Sequence, residues 1–217
     1  MRLGVLVSGR GSNLEAILAG RIEVAIVISN RAGVRALDVA AAHNVPSSVL
    51  RRADFADAAA RDAAIAASLT DAGVGLAVLA GYDQLLRPTY FSGFGGRTIN
   101  IHPSLLPAHG GAGMMGAAVH RAVLEAGDAE TGVTIHEVTP ELDAGPVLAQ
   151  ARVPVRPDDD ADTLAARVLV EEHRLVVETL RSMVGPGAGR PSIDREPRRP
   201  RRAAPAGPRG GAGHDAC

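Results

Sequence analysis

Cysteine is almost absent from this chain of 217 residues, since the only one is Cys217. A single thiol excludes disulfide bridges within the chain and any metal centre built on several cysteines. A lack of disulfides is typical of proteins in reducing compartments. The cysteine content therefore predicts a cytoplasmic protein.

A surplus of charge and a long apolar run are also missing. The 23 basic and 24 acidic side chains give a formal net charge of -1, so no global field favours nucleic acid or anionic membranes. The apolar run at residues 3–7 is far shorter than a signal peptide or a membrane span. We expect no membrane association and no specific nucleic-acid partner, and any anion site must be local.

Apolar segments of strand length alternate with longer segments of helical spacing. Strands are predicted at residues 3–7, 24–28, 76–79 and 98–101, and helices at 14–18, 35–42, 55–69 and 160–183. This alternation is typical of βαβ units. We predict an α/β fold with a Rossmann-like, mostly parallel sheet flanked by helices. Residues 132–138 and 147–155 are interpreted as two further strands that pair antiparallel at one side.

The composition changes sharply after residue 184. Residues 185–217 are rich in glycine, proline and arginine. Such a segment cannot bury enough apolar surface to offset the entropy that it would lose on ordering. We predict one folded domain over residues 1–184 and a disordered C-terminal tail over residues 185–217.

The first predicted strand leads into a glycine-containing loop that opens a helix. Residues 8–15 read Ser-Gly-Arg-Gly-Ser-Asn-Leu-Glu, in which Ser12 and Glu15 have the spacing of a capping box. Free backbone N–H groups and the helix dipole suit a phosphate at that point. The spacing is neither that of a dinucleotide-binding loop nor that of a Walker loop. On the residues alone, a phosphate site and a simple turn are equally consistent with this loop.

The strongest functional signal lies in residues 98–107, which read Thr-Ile-Asn-Ile-His-Pro-Ser-Leu-Leu-Pro. Asn100 and His102 are two residues apart, so their side chains face the same way on a strand. An amide beside an imidazole can bind an oxyanion and move a proton, as acyl and formyl transfer require. A lone histidine at a strand end is more often structural, but the paired asparagine and the carboxyl edge of an α/β sheet favour a catalytic role.

Five segments together resemble the phosphoribosylglycinamide formyltransferases, the folate-dependent enzymes of purine biosynthesis. They read Gly-Ser-Asn-Leu, Leu-Ala-Gly, Asn-Ile-His-Pro-Ser-Leu-Leu-Pro, Glu-Leu-Asp-Ala-Gly-Pro and Glu-Glu-His, and they occur in the family's order at residues 11–14, 79–81, 100–107, 141–146 and 171–173. The resemblance covers nearly all of residues 2–184 and implies that residues 1–184 form a formyltransferase domain.

The resemblance implies transfer of a formyl group from 10-formyltetrahydrofolate to the amine of 5-phosphoribosylglycinamide, without a metal. It assigns catalysis to Asn100, His102 and Asp143. It assigns substrate binding to Gly11, Ser12, Asn13, Pro103 and Glu172. It assigns folate binding to Asp83, Gln84, Leu85, Leu86 and Asn100. We expect small-molecule partners, and a monomer or a homodimer.

In the mechanism that the resemblance implies, the substrate amine attacks the formyl carbon and a tetrahedral oxyanion forms. Asn100 and protonated His102 stabilise this oxyanion. Asp143 holds His102 by charge and hydrogen bond, or orders a water that moves the proton.

Some positions depart from the family pattern. Tyr82-Asp83-Gln84 stands where members often have Phe-Met-Arg, and Ala58 stands where an arginine is common. Candidate substitutes for the lost contact to the folate tail are Arg51, Arg52 and Arg61. The glycine-rich residues 108–116 are consistent with a mobile lid or with a plain flexible connection. Three other histidines have no spacing typical of a metal site, and we expect them at the surface or on helices: His109, His120 and His136.

Two other kinds of function stay open. Methionyl-tRNA formyltransferase and formyltetrahydrofolate deformylase share the asparagine, histidine and aspartate chemistry, but they normally carry an added domain, for which we expect no room in this chain. A deformylase-like hydrolase is thus one alternative. A non-catalytic folate- or nucleotide-binding module is the other, and the joint presence of Asn100, His102 and Asp143 argues against it.

Overall fold

The computed structural model describes residues 1–184 of the chain. Their strands are β1 Arg2–Val7, β2 Val24–Ser29, β3 Ser47–Val49, β4 Val74–Leu79, β5 Arg97–His102, β6 Glu130–Glu137 and β7 Val147–Pro154. Their helices are α1 Ser12–Ala19, α2 Arg35–Ala42, α3 Ala58–Asp71, α4 Pro88–Gly93, α5 Ala117–Ala126 and α6 Ala161–Val184, with a short 3-10 helix at Arg52–Asp54. The tail predicted for residues 185–217 lies outside the described residues.

The strands form one sheet in the order β3-β2-β1-β4-β5-β6-β7. Strands β1 to β5 pair in parallel, whereas β6 runs antiparallel to both β5 and β7. The strand order reverses direction between β1 and β4, as in doubly wound sheets. The prediction of a mostly parallel sheet with one antiparallel pair at its side is confirmed.

Strand β1 lies near the middle of the sheet because it is apolar along both faces. Leu3, Val5 and Val7 pack in a core with α1, α2 and α6, whereas Leu6 packs in a second core with α3 and α4. Successive side chains of a strand point to opposite faces, so one short segment supplies both cores. At Gly4, a side chain would lie 2.5 Å from Leu69 of α3. The two cores fix the sheet between its covering helices.

Some elements differ from the sequence prediction. Helix α3 begins at Ala58 rather than at residue 55, because the Asp57 side chain accepts a hydrogen bond from the Ala60 N–H at 2.7 Å and caps the helix there. Three elements were not predicted, since each is short or follows a glycine-rich or proline-containing segment: β3, α4 and α5. No helix among residues 1–184 has the length and apolar character needed to cross a membrane.

The parallel register brings the carboxyl ends of three strands to one edge of the sheet. Leu6 of β1 pairs with Leu79 of β4, and Leu79 pairs with Asn100 of β5. The loops that follow these strands therefore lie side by side, where open α/β sheets bind ligands. Three of the five family segments, at residues 11–14, 79–81 and 100–107, therefore meet at this edge.

Candidate active site

The loop after β1 leaves the first turn of α1 open to a ligand. Gly11, the residue before the helix, has a left-handed backbone with φ of 74°. An added Cβ at this position would lie 2.7 Å from the Cα of Ala36, so both conformation and space require glycine. The first N–H groups of a helix have no partner within it, and no side chain caps them in α1, so they are available as donors.

The predicted capping box at this turn is wrong. No side-chain hydrogen bond caps α1, and the Glu15 carboxylate instead pairs with Arg35 of α2 at 3.0 Å. Arg35 also donates to the backbone carbonyl of Arg10 at 3.3 Å. The competing arginine explains the difference, because a salt bridge between helices draws the carboxylate away from the backbone. The loop is consequently braced by α2, and the Ser12 hydroxyl is not used as a cap.

Asn13 and Glu172, predicted separately as substrate-binding residues, are in direct contact. The Asn13 side chain donates from Nδ2 to Glu172 Oε2 at 2.8 Å, across 159 positions of the chain. The Asn13 Oδ1 atom is buried without a partner among the described residues. Burial raises the pKa of the Glu172 carboxyl, against the hydrogen bond from Asn13 and the charge of Arg10, which lower it. An acidic group therefore lies beside the open turn of α1.

At the end of β5, Asn100 and His102 project from the same face of the strand. The Asn100 amide nitrogen lies 3.1 Å from Nε2 of His136 on the neighbouring strand β6, because the antiparallel register places these two residues opposite each other. His136 is 2% exposed, and its Nδ1 hydrogen-bonds to the Glu137 carbonyl at 2.9 Å. A carbonyl only accepts, so Nδ1 carries the proton and Nε2 accepts from Asn100. His136 thus fixes the orientation of the Asn100 amide.

Burial is the main cause that lowers the pKa of His136, and the nearby His102 acts in the same direction. The Glu137 carbonyl and the Asp143 charge oppose this effect. The neutral ring is the form that can accept from Asn100, so the pKa shift and the hydrogen bond agree.

Asp143 lies between the two imidazoles. Its Oδ1 is 3.6 Å from His136 Nε2, and its Oδ2 is 3.8 Å from His102 Nδ1. Both distances are longer than those of hydrogen bonds. Its backbone is left-handed, with φ of 52°, a conformation that aspartate tolerates better than most residues. At Gly145 an added Cβ would lie 1.9 Å from the Glu137 carbonyl oxygen, so only glycine fits where the turn after Asp143 passes the end of β6.

The loop after His102 is fixed at its start and returns to the site. Thr134 of β6 donates from Oγ1 to the Ser104 carbonyl at 2.7 Å and accepts from the Leu106 N–H at 3.0 Å. Farther along, the carbonyl of His109 accepts a hydrogen bond from His102 Nε2 at 2.9 Å. Pro103, a predicted substrate-binding residue, lies half-buried directly after His102. The loop that starts after His102 therefore returns to contact the His102 imidazole.

The predicted folate-binding residues follow β4, and we call residues 82–87 the folate segment. Asp83 is held from behind, since Asn30 donates to Oδ1 at 2.7 Å and Arg31 pairs with Oδ2. Burial acts to raise the pKa of Asp83, but hydrogen bonds from Asn30 and neighbouring groups bring it below its ordinary value. Leu85 is exposed and Leu86 is buried. Most side chains of the segment therefore contact other parts of the protein.

A buried ion pair on α3 supports the folate segment. Arg61 binds Asp62 Oδ1 at 2.6 Å, and the side chains are 2% and 0% exposed. Arg61 also donates to the Gln84 side chain at 3.0 Å and to the Leu85 carbonyl at 3.2 Å. The second Asp62 oxygen accepts from the Arg87 N–H at 2.8 Å. Arg61 is thus occupied in holding the segment, which contradicts the idea that it reaches a folate tail.

The histidines set aside by sequence reasoning are mostly in the interior. His120 is 4% exposed but lies on helix α5, one of the two expected locations. His136 is 2% exposed on strand β6, so the expectation of a surface or helix position is wrong for it. His136 is the functional residue that was missed. Its signal was the strand pattern of residues 132–138, but its partner Asn100 becomes visible only once β5 and β6 are paired. Within residues 1–184, no cluster of three or more His, Cys, Asp and Glu side chains could hold a metal ion.

An amide donor and an imidazole at the end of one strand, with a carboxylate beside them, meet the chemical needs of acyl transfer. The fold and site therefore place the chain among the α/β group-transfer enzymes. It belongs to the formyl transferase family, whose sequence profile matches residues 1–180.

Individual relatives agree with this assignment. The chain is 39% identical over 181 residues to phosphoribosylglycinamide formyltransferase of Escherichia coli, covering 81% of this chain and 83% of that one. It is 38% identical over 191 residues to the trifunctional purine biosynthetic protein adenosine-3 of Drosophila melanogaster, covering 84% of this chain but only 14% of the fly protein. Glycinamide ribonucleotide transformylase 1 from Symbiobacterium toebii, known from a crystal structure, is 42% identical in sequence to this chain. The two structures match with a TM-score of 0.78 over 83% of this chain and 86% of that one.

Proposed function

We propose that this protein transfers the formyl group of 10-formyltetrahydrofolate to the amine of 5-phosphoribosylglycinamide, a step of purine biosynthesis. One observation carries the proposal: the Asn100, His102 and Asp143 site opens at the same sheet edge as the anion-binding turn of α1. The names of the relatives support the choice of acceptor.

The substrate side of the proposal uses the loop after β1. The phosphate binds the open N–H groups at Gly11, Ser12 and Asn13, where the helix dipole favours an anion. Glu172, fixed by Asn13 at 2.8 Å, binds the glycinamide part through its carboxylate. Pro103, half-buried directly after His102, is the remaining residue of the substrate side. 5-Phosphoribosylglycinamide carries a phosphate at one end and an amine at the other, and these two groups match the two sites.

The folate side uses the backbone of the folate segment. Among residues 1–184, no hydrogen bond employs the backbone N–H groups of Gln84, Leu85 or Leu86. Free backbone donors in a segment that is held from behind fit the hydrogen-bond acceptors of a heterocycle. Bound 10-formyltetrahydrofolate would supply the formyl carbon that the amine attacks.

The residues at the end of β5 account for the chemistry. Negative charge develops on the formyl oxygen as the amine attacks; Asn100 Nδ2 donates to it, and the positive charge of protonated His102 stabilises it. One Asn100 proton is committed to His136, which leaves the other for this oxygen. Asp143, with an oxygen 3.8 Å from His102 Nδ1, stabilises the protonated imidazole and accepts the proton that leaves the amine, directly or through water. When the tetrahedral intermediate collapses, the bond between the formyl carbon and the folate nitrogen breaks, and that nitrogen takes up the proton.

The test is a formyl-transfer assay with the two named substrates, comparing the wild type with His102→Ala and Asp143→Asn. Loss of an oxyanion donor costs on the order of 10²- to 10³-fold in turnover, so we expect each variant to lose at least about a hundredfold in kcat. Matched controls are His43→Ala and Asp71→Asn, both at exposed positions, and these should keep wild-type activity.

Different results would replace the proposal with a specific alternative. Formate release without transfer in the wild type would identify a deformylase-like hydrolase. Binding of both ligands with neither transfer nor hydrolysis would identify a non-catalytic binding module. Full activity in both variants would contradict the assigned roles even if the acceptor is correct.

A further inference from the structure

We propose, building on the function proposed above, that His109 and Asp128 form a latch that positions the His102 imidazole. The latch acts through residues 109–111, which we call the arch. His109 is therefore a positioning residue, not a catalytic one, and Asp128 holds it in place.

The arch contacts both ionisable groups of the site. The His109 carbonyl accepts from His102 Nε2 at 2.9 Å, and the Gly111 N–H donates to Asp143 Oδ2 at 2.8 Å. Between them, an added Cβ at Gly110 would lie 2.5 Å from the Leu106 side chain and 3.5 Å from Asp143 Cβ. A shift of this short backbone segment would disturb His102 and Asp143 at once.

The carbonyl contact decides which nitrogen of His102 faces Asp143. Because a carbonyl can only accept, Nε2 carries a proton and points to the arch. Nδ1 is then directed towards Asp143, 3.8 Å away. When the ring is protonated on both nitrogens, each proton faces an oxygen. The arch thereby selects the ring orientation that the reaction needs.

The arch is not held by its own conformational preference. His109 has a left-handed backbone with φ of 52°, and Gly111 follows with φ of 92°. A non-glycine residue in this region is disfavoured unless its surroundings hold it. A cavity of about 250 Å³ lies against the outer side of His109, next to Leu105 and Thr131. Side-chain packing therefore does not clamp the arch from that side.

His109 and Asp128 both line this cavity, and a contact between their side chains holds the arch. Nε2 of His109 lies 2.6 Å from Oδ2 of Asp128, and the side chains are 17% and 40% exposed. Asp128 belongs to the tight connection between α5 and β6, where its N–H donates to the Val123 carbonyl at 3.3 Å. This anchor is part of the sheet-and-helix framework, whereas the arch is loop. The latch thus ties the catalytic loop to rigid structure.

The test compares kcat and KM of Asp128→Ala and His109→Asn with those of the wild type and of the double variant. Asparagine tolerates the left-handed backbone but lacks the ring nitrogen. A partly exposed pair shifts an equilibrium by about two- to fivefold, so we expect each single variant to lower kcat by that factor with KM unchanged. Because both changes break one contact, the double variant should be no slower than the slower single variant.

An NMR measurement separates the latch from the proposed function. The Nε2–H resonance of His102, identified by its loss in His102→Ala, should broaden or shift in both latch variants but not in Asp71→Ala, a change at an exposed aspartate. An unchanged resonance and kcat in Asp128→Ala would overturn the latch, as would a double effect equal to the product of the single effects. A changed resonance in a protein that transfers no formyl group would support the latch and overturn the proposed function instead.

Discussion

The residues proposed for catalysis, which we call the catalytic corner, and the folate segment lie at the same edge of the sheet but are built in opposite ways. The corner, formed by Asn100, His102, His136 and Asp143, directs polar side chains towards one another. The folate segment turns its polar side chains back into the protein, which leaves backbone groups for a ligand. Function in the corner therefore depends on side-chain identity, whereas function in the segment depends on backbone shape.

This contrast explains why the segment departs from its family while the corner does not. Gln84 stands where relatives often have arginine, yet Arg61 places a guanidinium against the Gln84 side chain at 3.0 Å. The charge comes from α3 rather than from the segment. A backbone held from behind tolerates such exchanges, because the ligand meets main-chain atoms that every residue supplies.

The largest expected effect comes from breaking the support of the folate segment. Arg61→Met leaves the Asp62 carboxylate fully buried without its cation, and loss of one partner of a buried pair costs about 3–5 kcal/mol. We expect a fall of that size in the free energy of unfolding, measured with urea at pH 7. KM for the folate substrate should rise more than KM for the phosphoribosyl substrate, because the Gln84 and Leu85 contacts are lost.

The matched control is Arg174→Met on α6. Arg174 pairs with Glu171 and Glu178 at the surface, and exposed pairs contribute less than about 1 kcal/mol. It should change neither stability nor KM appreciably. Equal KM changes for both substrates in Arg61→Met would show that the pair supports the whole fold rather than the segment.

A smaller effect, on kcat rather than on stability and KM, is expected in the catalytic corner. His136→Phe keeps a ring in the core but removes the acceptor that orients Asn100. We expect kcat to fall about tenfold, less than for loss of an oxyanion donor itself, while KM for both substrates stays close to the wild-type value. His120→Phe, at an equally buried position on α5, is the matched control and should leave kcat unchanged.

The same variants carry a pH signature. Burial lowers the pKa of His136 and of His120. At mildly acidic pH the unfolded chain therefore binds protons at these two imidazoles that the folded chain does not bind. The free energy of unfolding should therefore fall as the pH drops below the ordinary histidine value of 6.5. Each phenylalanine variant should show a shallower fall in urea titrations between pH 7 and pH 5. An unchanged slope in His136→Phe would mean that this ring is protonated in the folded state.

A similar contrast separates the features that the sequence predicts from those that it does not. Local patterns predict β1, β5 and the same-face placing of Asn100 and His102, because side-chain alternation on a strand is a short-range property. The contact between His136 and Asn100 depends on which strands become neighbours, and the support of Gln84 by Arg61 spans 23 positions. The prediction of a capping box is wrong for a related reason, because Arg35 of α2 pairs with the Glu15 carboxylate.

The smallest expected change in stability distinguishes a residue that acts on a ligand from one that acts on the fold. Burial raises the pKa of Glu172, so its carboxyl stabilises the fold below the ordinary value of 4.5 and loses that contribution as the pH rises through the raised value. Glu172→Gln keeps an acceptor for Asn13 without a titrating group. The variant should therefore be slightly more stable than the wild type at pH 7, with little difference at pH 4.

The functional cost should run the other way. Loss of a hydrogen bond to a charged group is worth about tenfold in affinity, so KM for the phosphoribosyl substrate should rise by about that factor in Glu172→Gln. Glu125→Gln, on the exposed side of α5, should change neither quantity. A gain in stability with a loss of substrate affinity is the mark of a residue retained for its ligand, the reverse of the joint losses expected for Arg61. A loss of stability at pH 7 with unchanged KM would instead place Glu172 with Arg61, as a support of the fold.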